Sequence, residues 1–132
     1  MQEDGTVLDL TTGLQWMRCS LGQTWSGNAC SGSAATHPWA EALRAADDFK
    51  FAGYADWRLP NKNELDSIVE ERCGAPAINA VVFPGTPPYQ FWTSSPYSGS
   101  AQAAWSVDFG FGSVNASLKT GSLHVRLVRT TE

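Results

Sequence analysis

The stretch AWSVDFGFGSVNASL, residues 104–118, alternates apolar and polar residues on both sides of a glycine-rich turn. Alternation with a period of two is typical of β-strands, and a Gly-Phe-Gly turn between two such runs predicts an antiparallel hairpin. A third alternating run, residues 123–127, follows a Thr-Gly turn. The last third of the chain is therefore predicted to be an antiparallel meander with one polar face.

Two helices are predicted before this meander. Residues 38–49 begin with a proline suited to a first helical turn and place one apolar face toward the core, made of Trp39, Leu43 and Ala46. Residues 62–72 follow Asn61, an N-cap residue, and Glu64 three positions later completes a capping box. Short strands at 6–10, 14–17 and 91–94 and loops at 19–35 and 74–88 complete the pattern.

These elements predict one α+β domain over residues 1–132, in which two helices pack on a mostly antiparallel, twisted sheet with long loops. The net charge of −4 and the pI near 5.0 argue against nucleic acid as a partner, because phosphates require a basic face. No apolar run reaches the roughly 20 residues that span a bilayer, so no membrane insertion is expected. The N-terminus lacks signal-peptide features; if the protein is exported, we expect its leader to be absent from this chain.

The chain carries little that indicates catalysis. Its two histidines lie far apart, its three cysteines show no Cys-x-x-Cys spacing, and no nucleotide-binding, zinc-protease or hydrolase motif is present. We therefore expect a binding module that is not an enzyme and needs no cofactor.

Several phrases, taken together and in order, resemble the DUF1566 family, whose members include the C-terminal domain of the Legionella collagen-like adhesin. The phrases cover nearly the whole chain: TGLQW (12–16), WAEAL (39–43), GYADWRLP (53–60), PAIN (76–79), FWTSSPY (91–97), AWSVDF (104–109) and VRLVR (125–129). The resemblance implies a C-type-lectin-like fold, related to formylglycine-generating-enzyme domains. It also implies an exported bacterial adhesion domain, and among its characterised members sulfated-glycan binding and trimeric assembly.

The chain departs from the motifs and charge of related proteins in three ways that bear on its ligand and activity. The sugar-calcium motifs of calcium-dependent lectins are absent, so calcium is a possible ligand that the motifs do not support. No cysteine follows Cys73, whereas the oxidase relatives carry a late cysteine pair. The negative net charge disfavours a sulfated ligand unless a local basic patch exists.

The cysteines allow more than one arrangement. Cys19 and Cys30 bracket a Gly/Ser/Asn-rich loop, and we expect a disulfide between them, which presupposes an oxidising compartment. A bridge from Cys73 to either of them and free buried thiols are the alternatives.

The candidate ligand-binding residues are aromatic, amide and basic side chains in loops or at outward strand positions of the C-terminal half, as in adaptable binding surfaces. They are Tyr89, Tyr97, Gln102, Phe111, Asn115, Lys119, His124 and Arg126, with Gln90, Ser98, Ser100 and Ser117 of the same character. Lys119, His124 and Arg126 are predicted to share one polar sheet face, which is either an anion-binding patch or an ordinary solvated face.

For several other polar and aromatic residues, a structural role is the alternative to a role in binding. Asp56 and Arg58 flank Trp57 and are expected to pair with each other or with backbone near the second helix. Core packing is expected, over sugar stacking, for Trp16, Trp57, Trp92 and Trp105. A solvated helix face is expected, over a calcium site, for Glu64, Asp66, Glu70 and Glu71.

These observations predict a non-catalytic domain of a bacterial surface or pilus protein, located outside the cell. We expect it to bind a glycan or a host or bacterial surface protein through its C-terminal strand-and-loop face. The alternative is a protein–protein assembly module, such as a pilus-tip or trimerising domain, that associates with itself or with pilus subunits without binding sugar.

Overall fold

A computed structural model describes residues 4–70 and 76–131 of the chain. Its strands are β1 (Thr6–Asp9), β2 (Leu14–Met17), β3 (Thr24–Trp25), β4 (Cys30–Ser31), β5 (Thr36–His37), β6 (Gln90–Pro96), β7 (Ala103–Asp108), β8 (Ser113–Leu118), β9 (Leu123–His124) and β10 (Val128–Thr130). Its helices are α1 (Trp39–Asp48) and α2 (Lys62–Asp66). The α+β class predicted from the sequence is therefore confirmed.

The strands of the described residues form three sheets where one sheet was expected. Their orders are β1-β2-β10, β3-β4 and β5-β9-β6-β7-β8. All pairings are antiparallel except that of β6 with β9, which are parallel neighbours through Phe91 and His124. In the first sheet β2 pairs with β10, so the beginning and the end of the domain are joined by backbone hydrogen bonds.

The predicted β7–β8 hairpin is confirmed, with Val107 opposite Val114 in its register. The predicted last strand, residues 123–127, forms only over Leu123–His124 and is not paired with the hairpin strand β8. The chain crosses from β8 at one edge of the large sheet to the far side of β6, pairs there only over Leu123–His124, and then joins β2 as β10. Val125, Arg126 and Leu127, which lie between these two sheets, are all buried. The meander and its single polar face therefore do not form.

Helix α1 matches its prediction to within one residue at each end, because Pro38 is the N-cap and Phe49 the C-cap. Its most buried side chains are Ala42 and Ala46, and Trp39 and Leu43 are partly buried against the same core. The predicted core-facing stripe is thus confirmed.

Helix α2 has the predicted capping box, in which Asn61 and Glu64 bond each other's backbone, but it ends at Asp66, well before residue 72. The Ser67 hydroxyl donates to the Glu64 carbonyl at 2.5 Å, which competes with continuation of the helix. Two β-branched residues follow, and such residues have low helix propensity. Ile68 and Val69 still pack against the core, as the apolar pattern predicted.

Two apolar clusters fill the interior. The first lies between the two larger sheets and α2, and contains Trp16, Leu65, Phe91, Val107 and Phe109. The second lies beneath α1 and contains Met17, Trp57, Trp92, Ala104 and Val125. Core packing of Trp16, Trp57 and Trp92 is therefore confirmed, whereas Trp105 is only half-buried.

A disulfide joins Cys19 and Cys30, as predicted. The loop that it closes is more ordered than expected, because it contains the β3–β4 ribbon. Cys73 lies outside the described residues.

Candidate functional site

A cleft of about 370 Å³ opens on the large sheet at the start of β6 and the end of β7. Six residues line it: Tyr89, Gln90, Asp108, Ser122, Leu123 and His124. They come from three separate parts of the chain. The cleft therefore depends on the strand order β9-β6-β7 and on no local sequence motif.

Two polar side chains stand together in this cleft. Gln90 and Asp108 are direct partners across the β6–β7 pair. Asp108 Oδ1 accepts a 2.7 Å hydrogen bond from the Gly110 amide, which holds the carboxylate at the strand end. Gly110 itself is required by close packing, since a Cβ there would lie 2.8 Å from the Pro88 carbonyl oxygen.

The orientation of the Gln90 amide is also set by hydrogen bonds. The Ser117 hydroxyl, on β8, donates to Gln90 Oε1 at 3.1 Å and lies 2.9 Å from Ser106 Oγ. Because its carbonyl oxygen is occupied in this way, Gln90 turns its NH₂ group away from the serines. Among the described residues Gln90 Nε2 and Asp108 Oδ2 have no hydrogen-bond partner.

An aromatic stack forms one wall. The Tyr89 ring is 63% exposed and stacks on His124, with 6.1 Å between ring centroids and 18° between planes. His124 in turn contacts Phe91, which is fully buried, at 5.4 Å between centroids. The exposed tyrosine is thus supported from below by a column of rings that continues into the core.

His124 is held in its uncharged form. Burial lowers its pKa below the ordinary value and outweighs a hydrogen bond with the Ala35 backbone, which acts in the opposite direction. Its Nδ1 is buried without a partner in the described part of the chain. At neutral pH His124 therefore acts as a flat polar ring and not as a cation.

The predicted basic face, comprising Lys119, His124 and Arg126, is wrong. β8 and β9 lie on opposite sides of β6 and β7, so their side chains are not neighbours. Lys119 Nζ donates to the Ala101 carbonyl at 2.8 Å and sits 4.5 Å from the Trp39 ring. These contacts attach Lys119 to the far end of the sheet.

Arg126 is fully buried and is therefore not available to a ligand. Its guanidinium donates to the carbonyls of Met17 and Arg18 and to the Thr86 hydroxyl, at 3.1, 2.7 and 2.7 Å. It also lies 4.7 Å from the Phe83 ring. Burial lowers its pKa to about 9, which leaves it charged at neutral pH. Arg126 thus joins the two halves of the core.

The remaining predicted ligand residues are divided between two ends of the sheet. Phe111, 86% exposed, lies on the β7–β8 turn at the cleft end, where the Phe109 amide donates to the Tyr89 carbonyl at 3.0 Å. Tyr97 and Gln102 belong to the opposite end, where Tyr97 packs edge-on against Trp105 at 4.9 Å.

Asn115 lies between the two ends. It is half-buried opposite Ser106, and its amide donates to the Ser113 hydroxyl at 3.1 Å. Of the predicted set the structure therefore brings together in the cleft only Tyr89 and His124, with Gln90 from the residues of the same character. A ligand-binding role remains a prediction for the accessible members.

Asp108, Ser122 and Leu123 were missed by the sequence analysis. Alternation in residues 104–109 placed Asp108 on the polar side of its strand, and that was the available signal. Leu123 was assigned to the apolar side of an alternating strand and Ser122 was not singled out, because the crossover of β9 leaves no local signature.

Asp56 and Arg58 do not pair with each other, contrary to one of the two expectations. Arg58 makes two hydrogen bonds to Glu64 in α2, at 2.7 and 2.8 Å, and this lowers the pKa of Glu64. Asp56 accepts from Arg129 Nε at 2.7 Å, and the same hydrogen bond lowers the pKa of the Asp56 carboxyl. Both carboxylates thus have structural partners.

No group of three or more His, Cys, Asp or Glu side chains within residues 4–70 and 76–131 is arranged to hold a metal ion. In the same residues, neither helix has the length and apolar character needed to cross a membrane.

Comparison with known proteins supplies the family. The model of the Lcl C-terminal domain matches residues 5–129, almost the whole chain. No curated protein matches significantly. The match confirms the resemblance to the C-terminal domain of the Legionella collagen-like adhesin. The chain therefore belongs to the Lcl C-terminal domain family, a family associated with adhesins.

Proposed function

We propose that this is the non-catalytic ligand-binding domain of an exported adhesin, and that the cleft at Tyr89 and His124 binds a surface glycan. One observation carries the proposal. An exposed tyrosine, stacked on the half-buried ring of His124, borders the same cleft as an amide and a carboxylate that have open hydrogen-bonding positions. Concave sites that combine an aromatic wall with a few convergent polar groups are typical of small-ligand binding.

The family and the disulfide support the extracellular part of the proposal. Adhesins act outside the cell, and disulfides persist in oxidising compartments. We further propose a C-type-lectin-like fold, supported by the pairing of β2 with β10 and by the long segments that connect the sheets.

The test is a glycan array probed with the purified domain, in calcium and again in EDTA. Binding is expected in both conditions, and Tyr89→Ala is expected to remove it. The matched control is Leu118→Ala, since Leu118 is 64% exposed and lies on the outer strand β8. Equal loss of binding in both variants, or none in Tyr89→Ala, would contradict the proposal.

A second candidate function, protein–protein assembly, is favoured by a different surface. β1 is an edge strand, and beside it an apolar groove of about 380 Å³ is lined mainly by Val7, Leu8, Leu10, Ile68 and Val82. Leu10 is 90% exposed. Edge strands with apolar neighbours are a common place for another chain to add a strand.

Light scattering on the purified domain separates the two functions. Assembly through β1 predicts an oligomer that Leu10→Asp converts to a monomer without altering glycan binding. A monomer at all concentrations would leave the cleft as the functional surface.

A further inference from the structure

The open polar atoms of the cleft form a donor beside an acceptor. Gln90 offers Nε2, because Ser117 occupies its Oε1. Asp108 offers Oδ2, because Gly110 occupies its Oδ1. These side chains are direct cross-strand partners, so the two free atoms project from neighbouring positions on the same sheet face.

Adjacent hydroxyl groups of a sugar ring match such a pair. Each hydroxyl donates one proton and accepts through its lone pairs, so one can donate to a carboxylate while its neighbour accepts from an amide. A side-chain amide and a carboxylate together satisfy both without a bound cation. Sugar binding through this pair therefore does not require calcium, whose lectin motifs are absent from the sequence.

The aromatic stack borders the same cleft from the other face of β6, because the side chains of the successive residues Tyr89 and Gln90 alternate between faces. Tyr89 presents a ring that is 63% exposed, and His124 lies parallel beneath it. Aromatic rings carry negative charge on their faces, which attracts the weakly positive C–H groups of a pyranose.

The charge of the cleft selects against anions. Asp108 is the one charged group among its six lining residues, because His124 is uncharged at neutral pH. The cations predicted to contact a sulfate are elsewhere, since Arg126 is buried and Lys119 is bound at the other end of the sheet. A sulfate in this cleft would face a carboxylate without a neighbouring positive charge.

Resting on the proposed ligand-binding role of the cleft, we infer that it binds an uncharged sugar unit. Two adjacent ring hydroxyls bond Gln90 and Asp108, and a sulfated form of the same sugar is rejected. This chain would then differ in ligand class from the sulfated-glycan binding that its family resemblance implied.

The test compares neutral oligosaccharides with their sulfated forms, for example lactose with 3′-sulfolactose and N-acetyllactosamine with its 6-sulfate, within a broad paired array. The wild-type domain is expected to bind at least one neutral member at least tenfold better than its sulfated partner. Raising the salt concentration is expected to leave neutral binding unchanged, because no ion pair forms.

Two variants probe the donor–acceptor pair. In Asp108→Asn the amide oxygen still accepts from Gly110, so an NH₂ group replaces the charged acceptor and the diol loses a charge-assisted hydrogen bond. In Gln90→Glu a second carboxylate replaces the donor directly opposite Asp108, so the diol loses its donor and the two like charges repel each other. Each is expected to lower affinity at least tenfold, whereas Leu118→Ala is expected to leave it unchanged.

The outcomes separate the inference from the function on which it rests. Stronger binding of sulfated members, abolished by Tyr89→Ala, would overturn the neutral-sugar inference and leave the cleft as the binding site. Neutral binding that persists in both Asp108→Asn and Gln90→Glu would also overturn the inference. A blank array with folded protein would overturn the glycan-binding function and the inference together.

Discussion

Breaking the Cys19–Cys30 disulfide is expected to destabilise the domain by about 3 kcal/mol. The bridge spans a sequence separation of 11 residues. On the loop-entropy model a loop of this length contributes about 3 kcal/mol, by restricting the unfolded chain. That free energy corresponds to roughly a 100-fold change in the unfolding equilibrium. Reduction is the cleanest perturbation, because it alters the bond and leaves every side chain in place.

The assay is urea unfolding followed by tryptophan fluorescence, with and without reductant. Cys73→Ser is introduced in both arms so that thiol exchange does not confuse the comparison. The double variant Cys19→Ala/Cys30→Ser is expected to lose at least as much stability, because Cys19 is buried. A loss below about 1 kcal/mol on reduction would refute the loop-entropy reasoning. It would mean that the β3–β4 ribbon persists in the unfolded chain and restricts the loop there without the bridge.

Three further predictions concern stability, each measured by urea unfolding. Arg126→Met is expected to cost about 3 kcal/mol, because Thr86 and two backbone carbonyls lose a charged donor in the core; an unchanged midpoint would show that other donors replace it. Asn61→Ala is expected to cost about 1 kcal/mol through loss of the capping box, and Asn61→Asp, which keeps the acceptor, should lose much less. The pKa of Glu64 is lowered by Arg58, so its stabilisation is present above pH ~4.5 and is lost as pH falls below that value. Glu64→Gln should flatten this acid dependence, and a slope equal to that of the wild type would contradict the assignment.

The elements that the sequence predicted well are those whose signals are local. The capping box at Asn61 and Glu64 involves residues three apart, and the β7–β8 hairpin is closed by a short turn. Helix α1 follows from one apolar stripe within a single segment. In each case neighbouring residues make the contacts that define the element, so a short window of sequence contains the information.

The last strand shows where such reasoning fails. Apolar residues at 123, 125 and 127 fit one strand, and on that basis Arg126 would face solvent. The chain instead leaves the large sheet after His124, and residues 125–127 are covered on every side. Alternation assigns faces only while a segment remains in one sheet. Nothing within those residues marks the change of sheet.

The same limit explains what was found and missed in the cleft. Tyr89 and His124 were both predicted as ligand residues from their type, although 35 positions separate them in the sequence. Their contact arises because β9 inserts beside β6, where Phe91 pairs with His124. That insertion also removes Lys119 and Arg126 from the surface beside His124. One long-range pairing thus creates the aromatic stack and excludes the basic patch that an anionic ligand would need, which is why the proposed ligand is an uncharged sugar.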